Sequence, residues 1–170
     1  MPYPEIKPAL SSFQGGELRL SGDGFRDLVW AILAKGKPVR FQVRGFSMSP
    51  FLREGDVVTL RPVGERPLCR GDIAAFFDSS SGKMAVHRIV SADRKSGRFL
   101  FKGDNSPAAD GFVDASDIYG IIGRVERRGK TVRLGIGPGR GIVAWLSQRI
   151  PLTRWLFFLK RLVFVRRKSD

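Results

Sequence analysis

Val39-Arg-Phe-Gln-Val-Arg44 alternates apolar and polar side chains with a period of two. That is the pattern of a strand with one face on a core and the other in water. Just before it the period is helical. Phe25, Leu28, Val29, Ile32 and Leu33 share one face of a helix over residues 25–35, behind the cap candidates of Ser21-Gly-Asp-Gly24 and ahead of Gly36 and Pro38, which stop it. After residue 44 come further short strand candidates at 56–61, 72–77, 83–91, 98–102, 119–126 and 130–134. Turn chemistry separates them in Arg53-Glu-Gly-Asp56, Asp78-Ser-Ser-Ser-Gly82 and Arg127-Arg-Gly129. About seven short strands at this spacing predict a mainly β domain, an antiparallel barrel or coiled sheet. A short helix stands at its N-terminal side and a basic amphipathic helical tail at its C-terminal side. The expected division is residues 1–37 as an N-terminal extension, 38–134 as the β domain, and 135–170 as a glycine-rich hinge and tail.

The chain of 170 residues suits one domain with an appendage, and 42% hydrophobic content suits a folded one. A single cysteine, Cys69, excludes an internal disulfide framework. With a single histidine, His87, it also excludes a zinc finger, and no Asp-x-Asp calcium loop occurs, so neither metal nor cofactor is expected. The net charge is +14 with a pI near 11.0, which points to nucleic acid or anionic lipid. That charge is uneven. Residues 124–170 carry 13 Lys or Arg against 2 Asp or Glu, a net of +11, while residues 1–123 carry 17 against 14, a net of +3. The β domain and the basic region therefore need separate explanations.

Two segments could carry chemistry. In Gly45-Phe-Ser-Met-Ser-Pro50 a serine follows a strand, in a turn begun by glycine, and could present its hydroxyl at the end of a sheet. It is not the elbow of the α/β-hydrolases, because the fifth position is Ser49 and the α/β pattern is missing. The plain alternative is that Ser47 or Ser49 caps a turn. His87 lies in Met84-Ala-Val-His-Arg-Ile-Val90, where Ala85, His87 and Ile89 share one strand face. An imidazole ordinarily titrates near neutral pH and suits a general base for a serine. A third group should orient it, and Gly103-Asp-Asn-Ser-Pro-Ala-Ala-Asp110 offers Asp104 and Asp110. Arg70-Gly-Asp72 reads as a turn before a strand. Leu134-Gly-Ile-Gly-Pro-Gly-Arg-Gly141 lacks the ending of a P-loop and reads as a flexible hinge.

Taken in order, these segments resemble the type I signal peptidases and their LexA-like relatives. Gly45-Phe-Ser-Met-Ser-Pro-Phe-Leu-Arg-Glu-Gly-Asp-Val-Val58 is similar to the nucleophile box. Arg70-Gly-Asp-Ile-Ala-Ala-Phe-Phe77 with Val86-His-Arg-Ile-Val90 is similar to the general-base box. Lys102-Gly-Asp-Asn-Ser-Pro-Ala-Ala-Asp110 is similar to the aspartate box, and Asp117-Ile-Tyr-Gly-Ile-Ile-Gly-Arg-Val125 to the strand after it. The likeness runs from about residue 39 to 125. Histidine rather than lysine at 87 resembles the archaeal and endoplasmic-reticulum branch. The resemblance implies a LexA/signal-peptidase-like coiled sheet and a serine endopeptidase that processes a peptide or preprotein. Ser47 would be the nucleophile and His87 the general base. Asp110 matches the family's orienting aspartate, and Asp104 would support the loop or the histidine. Gly45, Phe46, Met48 and Pro50 would border the substrate, and the Ser47 N–H would meet the oxyanion. With about 40 residues upstream and neither Ala-Gly nor Cys-Gly in the chain, an autocleaving repressor is disfavoured.

Residues 1–14 lack the apolar stretch of a signal peptide, and the apolar run 25–34 contains Arg26 and Asp27 and falls short of a bilayer span. In the tail, Arg154, Trp155, Lys160, Arg161, Arg166, Arg167 and Lys168 are mixed with leucine and phenylalanine. This predicts a helix lying on an anionic membrane surface, peripheral and on the cytoplasmic face. The alternatives are a helix packed back on the β domain and a nucleic-acid arm. Phosphate binding does not need so many large apolar groups, which disfavours nucleic acid. The rival to an enzyme is a non-catalytic β module docked by this tail.

Overall fold

The computed structural model describes residues 13–14, 17–18, 22–64, 66–78, 81–133 and 135–149. A two-residue pair, β1 (Phe13–Gln14) and β2 (Glu17–Leu18), precedes helix α1 (Gly22–Ala34). The strands β3 (Val39–Gln42), β4 (Val57–Pro62), β5 (Ile73–Asp78), β6 (Lys83–Asp93), β7 (Arg98–Lys102), β8 (Gly111–Asp114), β9 (Ile118–Arg127) and β10 (Lys130–Val132) follow. Helix α2 (Arg140–Ser147) closes the described chain. The main sheet runs β3-β4-β9-β5-β6-β7-β8, with β10 also on β9, and every pairing is antiparallel.

The expected mainly β, antiparallel architecture with an N-terminal helix is what forms. The seven expected strands are present within one or two residues at each end, and α1 starts three residues earlier than its apolar stripe. β8 and the β1–β2 pair were not expected. Gly111-Phe-Val-Asp114 has only two apolar residues behind a Pro- and Asp-rich turn, too little pattern to read.

Central strands are buried on both faces. Ile73, Ala74, Ala75 and Phe76 of β5 are all at most 1% exposed. Ala75 packs in a cluster with Val29 and Leu33 of α1 and with Val58, Leu60, Ile122 and Val125. Its neighbour Ala74 packs in a second cluster with Phe76, Ile89, Phe99, Phe101, Ile118 and Ile121. The alternation of a strand sorts adjacent residues onto these two sides. Register shifts interrupt the ladders at Thr59/Leu60, Ala75/Phe76 and Ile89/Ser91. Each such irregularity adds twist, which curls the sheet.

A buried cation organises the middle of the molecule. Arg88 on β6 is 0% exposed. Its Nε and Nη2 donate to both carboxylate oxygens of Asp104 at 2.8 and 2.7 Å. Its Nη1 donates to the carbonyls of Gly71 and Gly135 at 2.8 and 2.7 Å. Asp104 is also 0% exposed. Burial pushes its carboxyl up from the ordinary value, and the guanidinium pulls the other way. Three segments remote in sequence from β6 meet it at this one side chain.

The glycine-rich stretch expected as a hinge is thus held at Gly135. Beyond it Arg140 reaches the Asp72 carboxylate at 3.1 Å, and Ala144 and Ser147 of α2 are fully buried. Gly135 serves close packing here: a Cβ on it would lie 2.4 Å from the Phe51 ring. The tail residues Arg154 to Lys168 lie outside the described residues.

Two stability experiments follow from these ion pairs. Arg88→Met should lose about 3–5 kcal/mol in denaturant unfolding, because Asp104 is left buried and unpaired. Adding Asp104→Leu should recover most of that loss. A change in Arg88→Met below 1 kcal/mol would show that the pair does not organise the fold. The second experiment concerns Asp56, whose carboxylate pairs with Arg127 at 2.7 and 2.8 Å and accepts from the Arg53 N–H at 2.9 Å. Burial opposes ionisation, but these donors outweigh it and hold the carboxyl below its ordinary value of 3.8. Its stabilising contribution is therefore complete above that value and lost as pH falls through the lower folded-state value. Asp56→Asn should cost about 1–3 kcal/mol at pH 7, with the gap closing in acid below 3.8. A gap independent of pH would contradict this.

Candidate active site

Three chain segments converge beside the β5–β6–β7 part of the sheet. The first is the turn after β3. Gly45 has φ +86°, a conformation that glycine adopts without strain, and the Ser49–Pro50 bond is cis. Ser49 N–H donates to the Phe46 carbonyl at 3.1 Å, closing the turn around Ser47. The second is β6, where His87 stands opposite Ala74 of β5. Phe76 packs near the imidazole, ring centres 6.1 Å apart. The third is the loop from Gly103 to Asp110 between β7 and β8.

That loop is fastened along its length. Asp104 is gripped by Arg88. Asn105 N–H donates to the Ser47 carbonyl at 2.7 Å, and Asp110 N–H donates to the Phe101 carbonyl at 2.9 Å. Gly103 permits the approach: a Cβ there would lie 2.8 Å from the Ser47 carbonyl oxygen and 2.4 Å from Ser106 Oγ. Lys102, 4% exposed, donates through Nζ to the carbonyls of Ser106 and Ser147. Burial pushes its ammonium below the ordinary lysine value, while Asp104 and Asp110 pull it up.

The result is a hydrogen-bonded chain. Ser47 Oγ lies 2.8 Å from His87 Nε2, and His87 Nδ1 lies 2.7 Å from Asp110 Oδ2. A carboxylate can only accept, so Nδ1 carries the proton and Nε2 presents a lone pair to the serine hydroxyl. The histidine side chain is 14% exposed and the aspartate 22%, so the array opens to solvent on one side. Such an array can take a proton from Ser47 and stabilise the imidazolium that forms.

The structure therefore brings Ser47, His87 and Asp110 together. Asp104 does not touch the imidazole through a hydrogen bond; its two oxygens go to Arg88, so it supports the loop. Gly45 and Phe46 are exposed beside Ser47, Phe46 at 66%, and Pro50 is half-buried. Met48, expected at the substrate border, is instead 3% exposed within the α1-side core with Leu52 and Val58. The turn exposes Ser47 and packs the next side chain, Met48, into the core. Arg88 and Lys102 were missed by sequence reading. The signal for Arg88 was available: it occupies a position flanked by Val86 and Val90 on an otherwise apolar strand face, where a cation requires a carboxylate. Among the described residues, no three His, Cys, Asp or Glu side chains cluster to hold a metal ion.

No protein-family model matches this chain, and no curated protein matches it. The reading of the site rests on its own geometry.

Gly103→Ala should loosen this array. The added methyl meets backbone, so the loop must shift, at a cost of about 1–3 kcal/mol. Any activity traced to Ser47 should fall with it. Unchanged stability in thermal unfolding would show that the close approach is not required.

Proposed function

We propose that the protein is a serine endopeptidase of the signal-peptidase type, closest to the Ser/His branch, with that family's coiled-sheet fold. The observation that carries this reading is the Ser47–His87–Asp110 chain, with hydrogen bonds of 2.8 and 2.7 Å. The order of the boxes around these residues supports it as well.

In the proposed reaction His87 Nε2 takes the Ser47 proton as Oγ attacks a peptide carbonyl. The negative charge that develops on the carbonyl oxygen meets the Ser47 N–H. The imidazolium, held by Asp110, gives its proton to the leaving amine, and an ester on Ser47 remains. Water then enters, His87 takes its proton, and the same steps in reverse sense release the acid and restore the serine. The substrate is a peptide or preprotein with small residues near the cleaved bond, as the family likeness implies. The step needs no cofactor. Residues Arg154, Trp155, Lys160, Arg161, Arg166, Arg167 and Lys168 are proposed to hold the enzyme on the cytoplasmic, anionic face of a membrane as a peripheral protein. Among the described residues, no helix is long and apolar enough to cross one.

A fluorophosphonate probe tests the reading. The wild type should label at Ser47, and Ser47→Ala and His87→Ala should reduce labelling at least about a thousand-fold. Wild-type protein that never labels, while remaining folded, would favour the non-catalytic module docked by its tail. Labelling that survives Ser47→Ala would place the nucleophile elsewhere.

A further inference from the structure

Helix α2 has an inner face that is fully engaged and an outer face that is apolar. On the inner face Ala144 and Ser147 are 0% exposed. Lys102 Nζ donates to the Ser147 carbonyl, and the Gln148 amide donates to the Val90 carbonyl at 3.1 Å. These contacts fix the helix against β6 and the loop that bears Asp110. On the outer face Ile142 is 68% exposed and Trp145 is 46% exposed. Ile142 and Trp145 are three residues apart and share a helix face, and Arg149, just past the helix end at Ser147, returns to the same side. Its guanidinium covers the Trp145 ring, 3.9 Å from the ring centre.

We propose that this outer face is a lipid-binding face, with Ile142 and Trp145 seated in the interface of an anionic bilayer and Arg149 at the phosphate level. The proposal rests on the membrane reading of the tail and deepens it, because it makes a docked, ordered helix part of the contact. Three observations select this occupant. An exposed Ile-Trp pair rimmed by arginine suits an interface where the ring is half in hydrocarbon and the cation meets phosphate. The chain leaves α2 directly into residues 150–170, which contain six Lys or Arg, one Asp, and Trp155, Phe157, Phe158 and Phe164. The helix face and the stretch that follows it in sequence therefore carry the same chemistry. A second copy of the chain is a poor occupant, since it brings a net charge of +14 to a cationic rim. Because α2 is bonded to the loop of Asp110, seating it on lipid also sets the triad's distance from the bilayer.

The test uses the full chain with Trp30→Phe and Trp155→Phe, leaving Trp145 as the single tryptophan. Vesicles are equal parts phosphatidylglycerol and phosphatidylcholine, or phosphatidylcholine alone. With anionic vesicles, Trp145 emission should shift to the blue and be quenched by brominated acyl chains; with neutral vesicles it should not. Before vesicles are added, iodide should quench it freely. In the otherwise wild-type chain, Ile142→Ser with Trp145→Ser should weaken vesicle binding about tenfold or more, with circular dichroism unchanged. Bound protein whose Trp145 stays unquenched by brominated lipid would overturn the proposal and leave the tail reading standing. Failure of the wild type to bind anionic vesicles at all would overturn both. Iodide shielding without vesicles would overturn it too, showing that the tail or a second copy already covers the face. Ser47 labelling is independent of every one of these outcomes.

Discussion

A fully buried guanidinium cannot be left without acceptors, and Arg88 is the point at which this constraint shapes the molecule. Its donors are met by one carboxylate and two backbone carbonyls from parts of the chain far apart in sequence. The requirement draws in the loop after β7, the turn before β5 and the start of the C-terminal segment together. An apolar residue at 88 could have packed without any of them. The ionic solution is not inherently more stabilising than a hydrophobic one. What it adds is directionality: Asp104 must sit where both oxygens face the fork, so the loop has one place to be.

The neighbouring residue uses that placement. His87 and Arg88 are adjacent on β6, and strand alternation turns one to the open side and the other inward. The inward residue fixes the first part of the loop, and the outward residue meets Asp110 at its far end. The Asn105–Ser47 bond and the absence of a side chain at Gly103 bring the serine turn into the same small space. In the proposed chemistry this rigidity is functional. A nucleophile and base already at hydrogen-bond distance have less orientation to acquire before reaction. Lys102 extends the same scaffold to α2, because its ammonium donates to a carbonyl of the proposed catalytic loop and to one of the helix with the exposed Ile-Trp face.

Much of this was legible in the residues, and the parts that were not share a cause. The seven strands announced themselves by alternation or apolar runs. β8 did not, because it is four residues long and takes its pairing from β7 rather than from a pattern of its own. Ser47 and His87 stood out as a possible nucleophile and the lone imidazole, but by residue type alone two aspartates in one loop could claim that imidazole, and only the family resemblance favoured Asp110. Only the partner of Asp104 separates them, and that partner is residue 88, sixteen positions away and itself unremarked. Met48 shows the opposite error: its nearness to Ser47 in sequence suggested a place beside substrate, while the packed turn buries its side chain in the core against Leu52 and Val58. The glycines at 135–141 read as a hinge because flexibility is an intrinsic property of glycine, whereas the close approach of Phe51 and Arg88 to Gly135 is a property of the packed state.

The amino-acid sequence by itself determined the period of each segment, the mainly β architecture, the uneven charge, and the small set of groups able to do proton-transfer chemistry. Those follow from properties each residue carries locally: side-chain polarity, turn preference and charge. The tertiary structure alone decided which aspartate meets the histidine, where the buried cations find acceptors, and that Gly135 and helix α2 are packed against the sheet. Those depend on distances between residues remote in the chain, which are set by the register of the sheet and the demand that every buried charge be paired.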